Sequence, residues 1–405
     1  MHSKRQAAVG FIFITLFLDV MGWGLIIPVL PTLVSNLTSV PINQASSYGA
    51  ILLFGYAFSQ FLFAPVLGNL SDQFGRRPIL LLSLFGFSIN YLLLAWAPSF
   101  FWLIIGRIVA GVAGSSLSTA SAYIADVSNE STRAKNFGMI GAAFGLGFVI
   151  GPALGGLVAD FGVRAPFYTA SVLCLLNALY GYFILPESLP VENRRKFSWK
   201  RANPFGALKV FLSHPTVARL AIVYFLIYLG GQSVQSTWSY FTMYRFGWSE
   251  KLVGISLAVS GVLVGLVQSL LVRVVNPRLG NEKSIYIGLS FYSIGLFALA
   301  FAPMGWMMFL FLIPYCLGGL AGPSLQSTLA SLVSPNVQGE LQGALTSLMS
   351  LTAIIGPLIM NNLFAYFTRP DSTIHFPGIA FFLGSLSMLS SLIISRLTFS
   401  HPNAR

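Results

Sequence analysis

Long apolar runs separated by short polar segments dominate the chain. Each run has about 20 residues, the length that a helix needs to cross the hydrocarbon core of a bilayer. The pattern therefore predicts twelve transmembrane helices. They lie near residues 8–30, 46–70, 78–97, 100–125, 136–160, 166–186, 216–241, 251–273, 284–302, 306–333, 341–366 and 377–396.

The composition agrees with a membrane protein and argues against a soluble enzyme. Of the 405 residues, 55% are hydrophobic and only 8% are charged, whereas about 25% of the residues in a soluble chain are charged. The two cysteines, Cys174 and Cys316, both lie in apolar runs, which excludes a disulfide framework. The sequence contains no Walker loop, metal-ligand spacing or nucleophile elbow. We therefore predict a protein that is not an enzyme and that needs no cofactor and no metal.

The net charge of +12 follows from membrane topology. If the N-terminus lies in the cytoplasm, nearly all Lys and Arg residues fall in cytoplasmic segments. The opposite loops hold only Arg164, Arg245, Lys251 and Arg369. This asymmetry satisfies the positive-inside rule, so we predict that both termini are cytoplasmic and that nucleic acid is not a partner.

One long polar stretch, residues 187–215, divides the chain. It predicts a cytoplasmic linker between an N-terminal half, residues 1–186, and a C-terminal half, residues 216–405, each with six helices. The basic run inside the linker has two open interpretations. It contacts anionic lipid headgroups, or it is a solvated connection that only enforces topology.

The two halves resemble each other in sequence. AGSSLSTASA, which starts at Ala113, matches AGPSLQSTLAS, which starts at Ala321. Gly75 matches Gly280, 205 positions later, and Gly151-Pro152 matches Gly356-Pro357 at the same spacing. These matches indicate a duplication. Parallel six-helix repeats are the architecture of major facilitator transporters, so we expect an all-α membrane protein with that fold.

Two ionisable residues lie deep in the predicted spans. Asp19 lies about 16 Å into helix 1, and Arg107 lies about 10 Å into helix 4. Charges at such depth are costly and mark functional sites by default. In one interpretation Asp19 binds and releases the coupling proton while Arg107 favours release. In the other, the two residues form an ion pair, or Asp19 bonds to backbone near Gly22 and Gly24, and either arrangement only fixes helix packing.

The segment GNLSDQFGRRP, residues 68–78, joins predicted helices 2 and 3. Its charges are of both signs, and Asp126 is the nearest acid on the same predicted side of the membrane. We interpret the segment as a cytoplasmic gate built from charge pairs; the alternative is positive-inside charge with ordinary helix capping. The predicted gate residues are Gly68, Asp72, Gly75, Arg76, Arg77, Asp126 and Arg133.

Predicted helix 5 contains GAAFGLGFVIGPALGG, residues 141–156. Glycines four residues apart give a smooth face for close helix packing, and Pro152 adds a kink. The motif residues are Gly147, Gly151, Pro152, Gly155 and Gly156.

Polar or amphipathic side chains at membrane depth are candidates for a substrate cavity. Taken singly, each also suits an interhelical hydrogen bond or an interface anchor. The candidates are Asn90, Gln232, Gln235, Trp238 and Gln326.

Five segments together resemble the signatures of twelve-helix drug:proton antiporters, and most of all the tetracycline:proton antiporter family. They are LDVMGWGLIIPVLP (18–31), GNLSDQFGRRP (68–78), GRIVAGVAG (106–114), AYIADVSNESTRAKNFG (122–138) and GLGFVIGPALGG (145–156). The resemblance continues past the linker and covers nearly the whole chain. It implies that Asp19 and Arg107 act in proton coupling, that the gate residues form a conformational latch, and that helix 5 carries an antiporter motif.

The sequence departs from that family at three positions. Tetracycline exporters carry acids where Asn90 stands and near Tyr292, and a histidine near Val264. We therefore expect a bacterial inner-membrane antiporter that exports an amphipathic drug-like solute in exchange for protons by alternating access, with tetracycline as one candidate. The alternatives are a proton symporter or facilitator for a metabolite, and a sensor or scaffold without turnover. Protons, the solute and membrane lipid are the expected partners, and the two-half plan is complete as a monomer.

Overall fold

The structure is a computed structural model that describes the backbone of residues 2–114, 116–199, 211, 215–334 and 337–400. Within these ranges it omits the side chains of residues 2–8, 116–117, 130–131 and 133–135. The described chain is helical and contains no strand, as the apolar pattern predicts.

Fifteen α-helices form the described chain. The first eight are α1 (His2–Ile26), α2 (Leu30–Thr38), α3 (Ile42–Phe74), α4 (Arg76–Trp96), α5 (Phe100–Ala113), α6 (Ser116–Val127), α7 (Glu130–Val158) and α8 (Ala165–Ile184). The remaining seven are α9 (Pro215–Phe246), α10 (Glu250–Leu266), α11 (Val272–Ala300), α12 (Gly305–Leu317), α13 (Ala321–Ser331), α14 (Gln338–Phe367) and α15 (Ile379–Ser400). A π-helical turn, Val267–Leu271, joins α10 to α11.

Eleven helical stretches of the described residues are long and apolar enough to cross a membrane. One of them, Glu250–Ala300, has 51 residues and would be about 77 Å long, more than twice the thickness of a bilayer core. Its backbone leaves helical geometry at Gly280, where φ is 77°. This stretch therefore contains two spans, and the twelve predicted spans are confirmed.

Two spans are divided by breaks that contain glycine. The span Phe100–Val127 consists of α5 and α6 with the break at Gly114, and the span Gly305–Ser331 consists of α12 and α13 with a 3₁₀ turn at Gly318–Leu320. Both repeats thus have an interrupted helix in this span, and the break in the second repeat lies before Gly322, the residue that matches Gly114.

The chain forms two compact units. The first contains Met1–Ser39, Gly55–Pro204 and Ser249–Gly261, and the second contains Val40–Phe54, Phe205–Trp248 and Val262–Arg405. The division into halves at 187–215 remains a prediction, and residues 200–210 and 212–214 of that linker lie outside the described part.

In the first unit, α1 packs along α7. Gly147, Gly151 and Gly155 are four residues apart, so they share one face of α7. A Cβ at Gly147 would lie 2.8 Å from Val20 Cβ, one at Gly151 would lie 2.7 Å from the carbonyl oxygen of Met21, and one at Gly155 would overlap the backbone of Leu25. The glycines therefore allow the two backbones to approach closely.

In the second unit, an aromatic cluster joins α9 to α14 and α15. The Phe241 ring lies 4.9 Å from the Phe381 ring and 6.5 Å from the Phe364 ring, measured between centroids. Trp238, 2% exposed, packs edge-on against Phe381 at 6.2 Å. Such edge-to-face pairs stabilise a packed core beyond the area that they bury.

The outer faces of many spans carry large apolar side chains. Phe183 is 78% exposed, Leu176 57% and Trp96 63%. A soluble monomer rarely exposes apolar surface on this scale, whereas helices in lipid require it. The protein is therefore a multi-pass membrane protein.

Candidate functional site

Asp19 on α1 and Arg107 on α5 face the same region of the first unit. Arg107 is buried, with 3% of its surface exposed, and Asp19 is half-buried. The phenols of Tyr56, on α3, and Tyr91, on α4, are each within electrostatic range of both charges. Cys174 on α8 is within electrostatic range of Asp19. The structure thus places the two deep charges close to the same tyrosines.

Glycines of the GRIVAGVAG segment place Arg107. A Cβ at Gly106 would lie 2.8 Å from Leu94 and 3.2 Å from Asn90 Oδ1, and one at Gly111 would overlap the carbonyl oxygen of Tyr56. The α5 backbone therefore lies directly against α3 and α4. Asn90, predicted for the substrate cavity, is 1% exposed and lies against Gly106, the residue before Arg107.

A second contact joins α5 to α3. Gln60 donates from Nε2 to the carbonyl oxygen of Gly114 at 3.0 Å and to the Tyr56 hydroxyl at 3.2 Å. Gln60 thus binds the end of α5 and also orients a tyrosine of the Asp19 region.

The GNLSDQFGRRP segment is more helical than a loop. Residues 68–74 are the last turns of α3, α4 begins at Arg76, and Gly75 alone separates the two helices. Gly75 has φ 104° and ψ 161°, a conformation that is nearly restricted to glycine. A Cβ at Gly68 would meet nothing within 4 Å. The junction between α3 and α4 therefore requires glycine at position 75, whereas position 68 has room for a side chain.

Arg76 is the centre of a charged cluster at this junction. Its Nη1 lies 2.6 Å from Asp72 Oδ1, and its Nε lies 3.3 Å from Asp126 Oδ2. Nη1 also donates to Ser71 Oγ at 2.6 Å. The guanidinium thus bonds to α3 and α6 at the same time.

Arg77 has a different set of contacts. Its Nη2 donates to the carbonyl oxygen of Tyr182 at 2.6 Å, and its guanidinium lies 5.7 Å from the centre of the Tyr182 ring. The Arg77 side chain therefore ties α4 to the end of α8. The side chain of Arg133 lies outside the described residues.

Glu187 is a member of this cluster that the sequence analysis missed. Its carboxylate accepts backbone hydrogen bonds from Arg76 (2.8 Å), Arg77 (3.2 Å), Ser188 (3.0 Å) and Leu189 (3.0 Å). A Cβ at Gly75 would overlap Glu187 Oε2. The available signal was an acid directly after the last apolar residues of the sixth predicted span, a group that stabilises a helix N-terminus. The N-terminus that it binds is that of α4, more than 100 residues earlier.

The start of the predicted linker lies along the same junction. The backbone N–H of Arg195 donates to the carbonyl oxygen of Asp72 at 3.0 Å, and that of Phe197 donates to Gln73 Oε1 at 3.1 Å. Ser188 Oγ donates to Asp126 Oδ2 at 2.9 Å. Residues 187–197, here named the strap, therefore bind both α3 and α6.

The glycine motif of predicted helix 5, which lies on α7, has two packing faces. Beyond the α1 face, a Cβ at Gly156 would lie 2.8 Å from the carbonyl oxygen of Glu250, and one at Gly254 would overlap the carbonyl oxygen of Pro152. The first turns of α10 therefore pack on the Pro152–Gly156 face of α7 within the first unit.

The other four cavity candidates lie in the second unit and make separate contacts. The Gln232 side chain fills the space above Gly356, and Trp238 lies in the aromatic cluster. Gln326 donates to Gln342 Oε1 at 2.7 Å, and Gln235 is exposed. Their role in a cavity remains a prediction. Within the described residues, no group of three or more His, Cys, Asp or Glu is placed to hold a metal ion.

Known proteins resemble this chain in sequence and in fold. The Major Facilitator Superfamily sequence profile matches residues 12–357. The chain is 42% identical to the tetracycline resistance protein, class C, of Escherichia coli over 89% of this chain and 91% of that protein. It is 40% identical to the tetracycline resistance protein, class G, of Vibrio anguillarum over 84% of this chain and 86% of that protein. The human organic anion transporter MFSD10 (TETRAN) has the same fold, with a TM-score of 0.72, 24% identity, and coverage of 96% of this chain and 99% of that one.

These likenesses and the twelve-span architecture define a secondary transporter. The chain belongs to the Major Facilitator Superfamily and, within it, to the tetracycline:proton antiporter family.

Proposed function

We propose that the protein is a proton-coupled antiporter that exports an amphipathic drug-like solute, and that Asp19 carries the proton. The observation that supports the assignment is the placement of Asp19 and Arg107 beside the same two tyrosines in the first unit. A carboxylate that alternates between protonated and ionised forms needs a neighbouring cation that disfavours the protonated form. Arg107 is placed to supply that charge.

Tetracycline is the first substrate to test. The two relatives described above are tetracycline resistance proteins that match most of this chain. The three positions at which the sequence departs from tetracycline exporters, Asn90, Tyr292 and Val264, bear on which solute is exported. Tyr292 contacts Tyr315, with ring centroids 5.3 Å apart, so an aromatic pair occupies the region where those exporters carry a helix 9 acid. We propose that recognition in the second unit depends more on aromatic stacking than on charge.

The charged cluster at Gly75 acts in this proposal as a latch. Arg76, Asp72 and Asp126 hold α3, α4 and α6 together in the present conformation. Breaking these bonds frees the α3–α4 junction to change during alternating access. Gly68, Gly75, Arg77 and Arg133 complete the proposed gate, and Gly147, Gly151, Pro152, Gly155 and Gly156 complete the proposed antiporter motif.

The proposal includes the oligomeric state, the location and the orientation of the protein. The protein works as a monomer in a bacterial inner membrane, with both termini in the cytoplasm and without enzymatic activity, a cofactor or nucleic acid. The positive-inside asymmetry supports the orientation.

The test is drug accumulation in cells that express the wild-type chain or Asp19→Asn, with and without a protonophore. We expect the wild type to lower tetracycline accumulation only while a proton gradient exists, and Asp19→Asn to accumulate tetracycline like cells without the protein. Asp160→Asn is the matched control because Asp160 is an exposed acid of the same unit, 3.7 Å from Lys251. Equal efflux by Asp19→Asn and the wild type would refute the coupling assignment.

A panel of cationic dyes and amphenicols extends the same experiment. Energy-dependent efflux of a dye but not of tetracycline would keep the antiport proposal and move the substrate class. Proton-driven uptake of any compound would contradict export and favour a symporter.

A further inference from the structure

Tyr91 reaches α1 at a glycine. A Cβ at Gly22 would lie 2.9 Å from the Tyr91 hydroxyl oxygen and 3.3 Å from two ring carbons. Contacts below 3.0 Å force a neighbour to move, so alanine at position 22 is incompatible with the present place of the hydroxyl. Tyr91 itself is 3% exposed and its ring stacks on Phe87 at 6.3 Å between centroids. The ring is thus fixed while its hydroxyl touches the α1 backbone.

Gly22 lies three residues after Asp19, and residues with this spacing are neighbours on one helix face. The Tyr91 hydroxyl therefore meets α1 on the face that carries Asp19, about one helical turn along the helix from that residue. Tyr91 is within electrostatic range of Asp19 and Arg107, which agrees with this placement.

Other elements around Asp19 contribute few titratable groups. Tyr56 faces this region from α3, Arg107 from α5 and Cys174 from α8. The α7 face that packs on α1 consists of the glycines at 147, 151 and 155. A phenol can donate a hydrogen bond to a carboxylate and accept one from a carboxylic acid. A phenol hydroxyl beside Asp19 is therefore suited to bond to the carboxyl group in both protonation states, as donor to the ionised form and as acceptor from the protonated form.

We propose that Tyr91 is the positioning residue of the Asp19 carboxyl group and that Gly22 is the opening through which its hydroxyl reaches that group. The inference rests on the proposed role of Asp19 as the proton carrier. It gives α4 a role in proton coupling. The sequence of α4 does not indicate this role, because the neighbouring residue, Asn90, is not ionisable.

The experiment uses purified full-length protein and infrared difference spectroscopy between high and low pH. The carboxyl band that Asp19→Asn removes belongs to Asp19. In Tyr91→Phe, which keeps the ring, we expect this band to change frequency and its pH midpoint to rise by roughly one unit, the effect of one lost hydrogen bond to the ionised form. Gly22→Ala should give the same change, because its methyl group displaces the hydroxyl.

The double variant Gly22→Ala with Tyr91→Phe separates this role from packing. If both changes act through the hydroxyl, the pH midpoint of the double variant equals that of Tyr91→Phe, since coupled sites are not additive. Gly10→Ala is the matched glycine control because it lies on α1 with open space for a Cβ. Tyr123→Phe is the matched tyrosine control, since its buried hydroxyl donates to Pro186 instead.

Each failure has its own signature. An unchanged Asp19 band in Tyr91→Phe overturns the positioning role and leaves Asp19 as the carrier. A spectrum in which Asp19→Asn removes no pH-dependent band overturns the proton-carrier proposal itself. Equal band shifts in Tyr123→Phe and Tyr91→Phe would show a general effect of lost tyrosine hydroxyls and would also overturn the inference. Tetracycline transport plays no part in this readout, so a wrong substrate does not affect it.

Discussion

The junctions at Gly75 and Gly280 share a backbone but differ in charge. Gly75 has φ 104° and ψ 161°, and Gly280 has φ 77° and ψ 166°, a region nearly restricted to glycine. Around Gly75, Arg76 bonds to Asp72 and Asp126. Around Gly280 the bonds are neutral: Asn281 Nδ2 donates to Ser327 Oγ at 3.0 Å, and Ser324 Oγ donates to Asn276 Oδ1 at 3.1 Å.

The difference indicates which part of a duplicated element tolerates divergence. Both copies need a sharp turn between consecutive spans, so both retain glycine at the same place. Among the described residues, the charged bonds of these junctions occur in the first copy. The second copy has Asn281 where the first has Arg76, and Pro277 where the first has Asp72. The same asymmetry recurs in the spans, because Arg107 corresponds at the spacing of the AGSS and AGPS segments to Tyr315.

The largest expected effect is a difference in stability between the variants Gly75→Ala and Gly280→Ala. Both variants place a Cβ in a glycine-only conformation, at a cost of about 1–3 kcal/mol. At Gly75 the Cβ also overlaps Glu187, whereas at Gly280 it meets nothing within 4 Å. Gly75→Ala should therefore be less stable than Gly280→Ala by about 2 kcal/mol, the value of a lost hydrogen bond to a charged group. Thermal unfolding in detergent measures the difference, and equal losses would contradict the account.

An intermediate effect is expected for Asp126→Asn. The variant weakens the bonds from Arg76 and Ser188, and we expect a loss of about 1 kcal/mol that shrinks at high salt. The control is Glu282→Gln at the second junction, where Glu282 accepts only an exposed bond from Tyr286 at 3.1 Å. Melting temperatures at low and high salt measure both. A loss in Glu282→Gln as large as that in Asp126→Asn would remove the contrast between the junctions.

The smallest effect is expected for Glu187→Gln. Glutamine keeps one acceptor oxygen but loses the charge that faces the α4 N-terminus, worth about 0.3–1 kcal/mol. Proteolysis of the strap should become faster, because its attachment to the junction weakens. Glu192→Gln, an exposed neighbour, serves as the control. Unchanged cleavage in Glu187→Gln would show that the strap does not depend on this carboxylate.

The sequence predicts the fold well because membrane spans are set by length and apolar content. Twelve spans follow from the apolar runs, and the packing face of Gly147, Gly151 and Gly155 follows from their spacing. Two features do not follow from the sequence: the single helical stretch that contains Gly280, and the continuation of α3 through Asp72. In both places a short polar segment fits a loop or the end of a helix equally well.

The candidate site is less predictable than the fold. The depths of Asp19 and Arg107 in their spans suggest that the two residues act together, but their electrostatic interactions with Tyr56 and Tyr91 depend on which glycines let helices meet. Glu187 escapes a reading of the sequence, since its partners are backbone N–H groups more than 100 residues earlier in the chain. Trp238 shows the opposite case, as the polarity that suggests a cavity is equally suited to a packed aromatic cluster.

The most direct test of the account is proton movement driven by tetracycline in proteoliposomes. The comparison sets Asp19→Asn against Tyr315→Phe, which removes a hydroxyl from the position that corresponds to Arg107. The account predicts that tetracycline exchange moves protons in the wild type and in Tyr315→Phe, and that Asp19→Asn moves none. Proton movement retained in Asp19→Asn, or lost only in Tyr315→Phe, would contradict the claim that the charged machinery of this transporter lies in its first half.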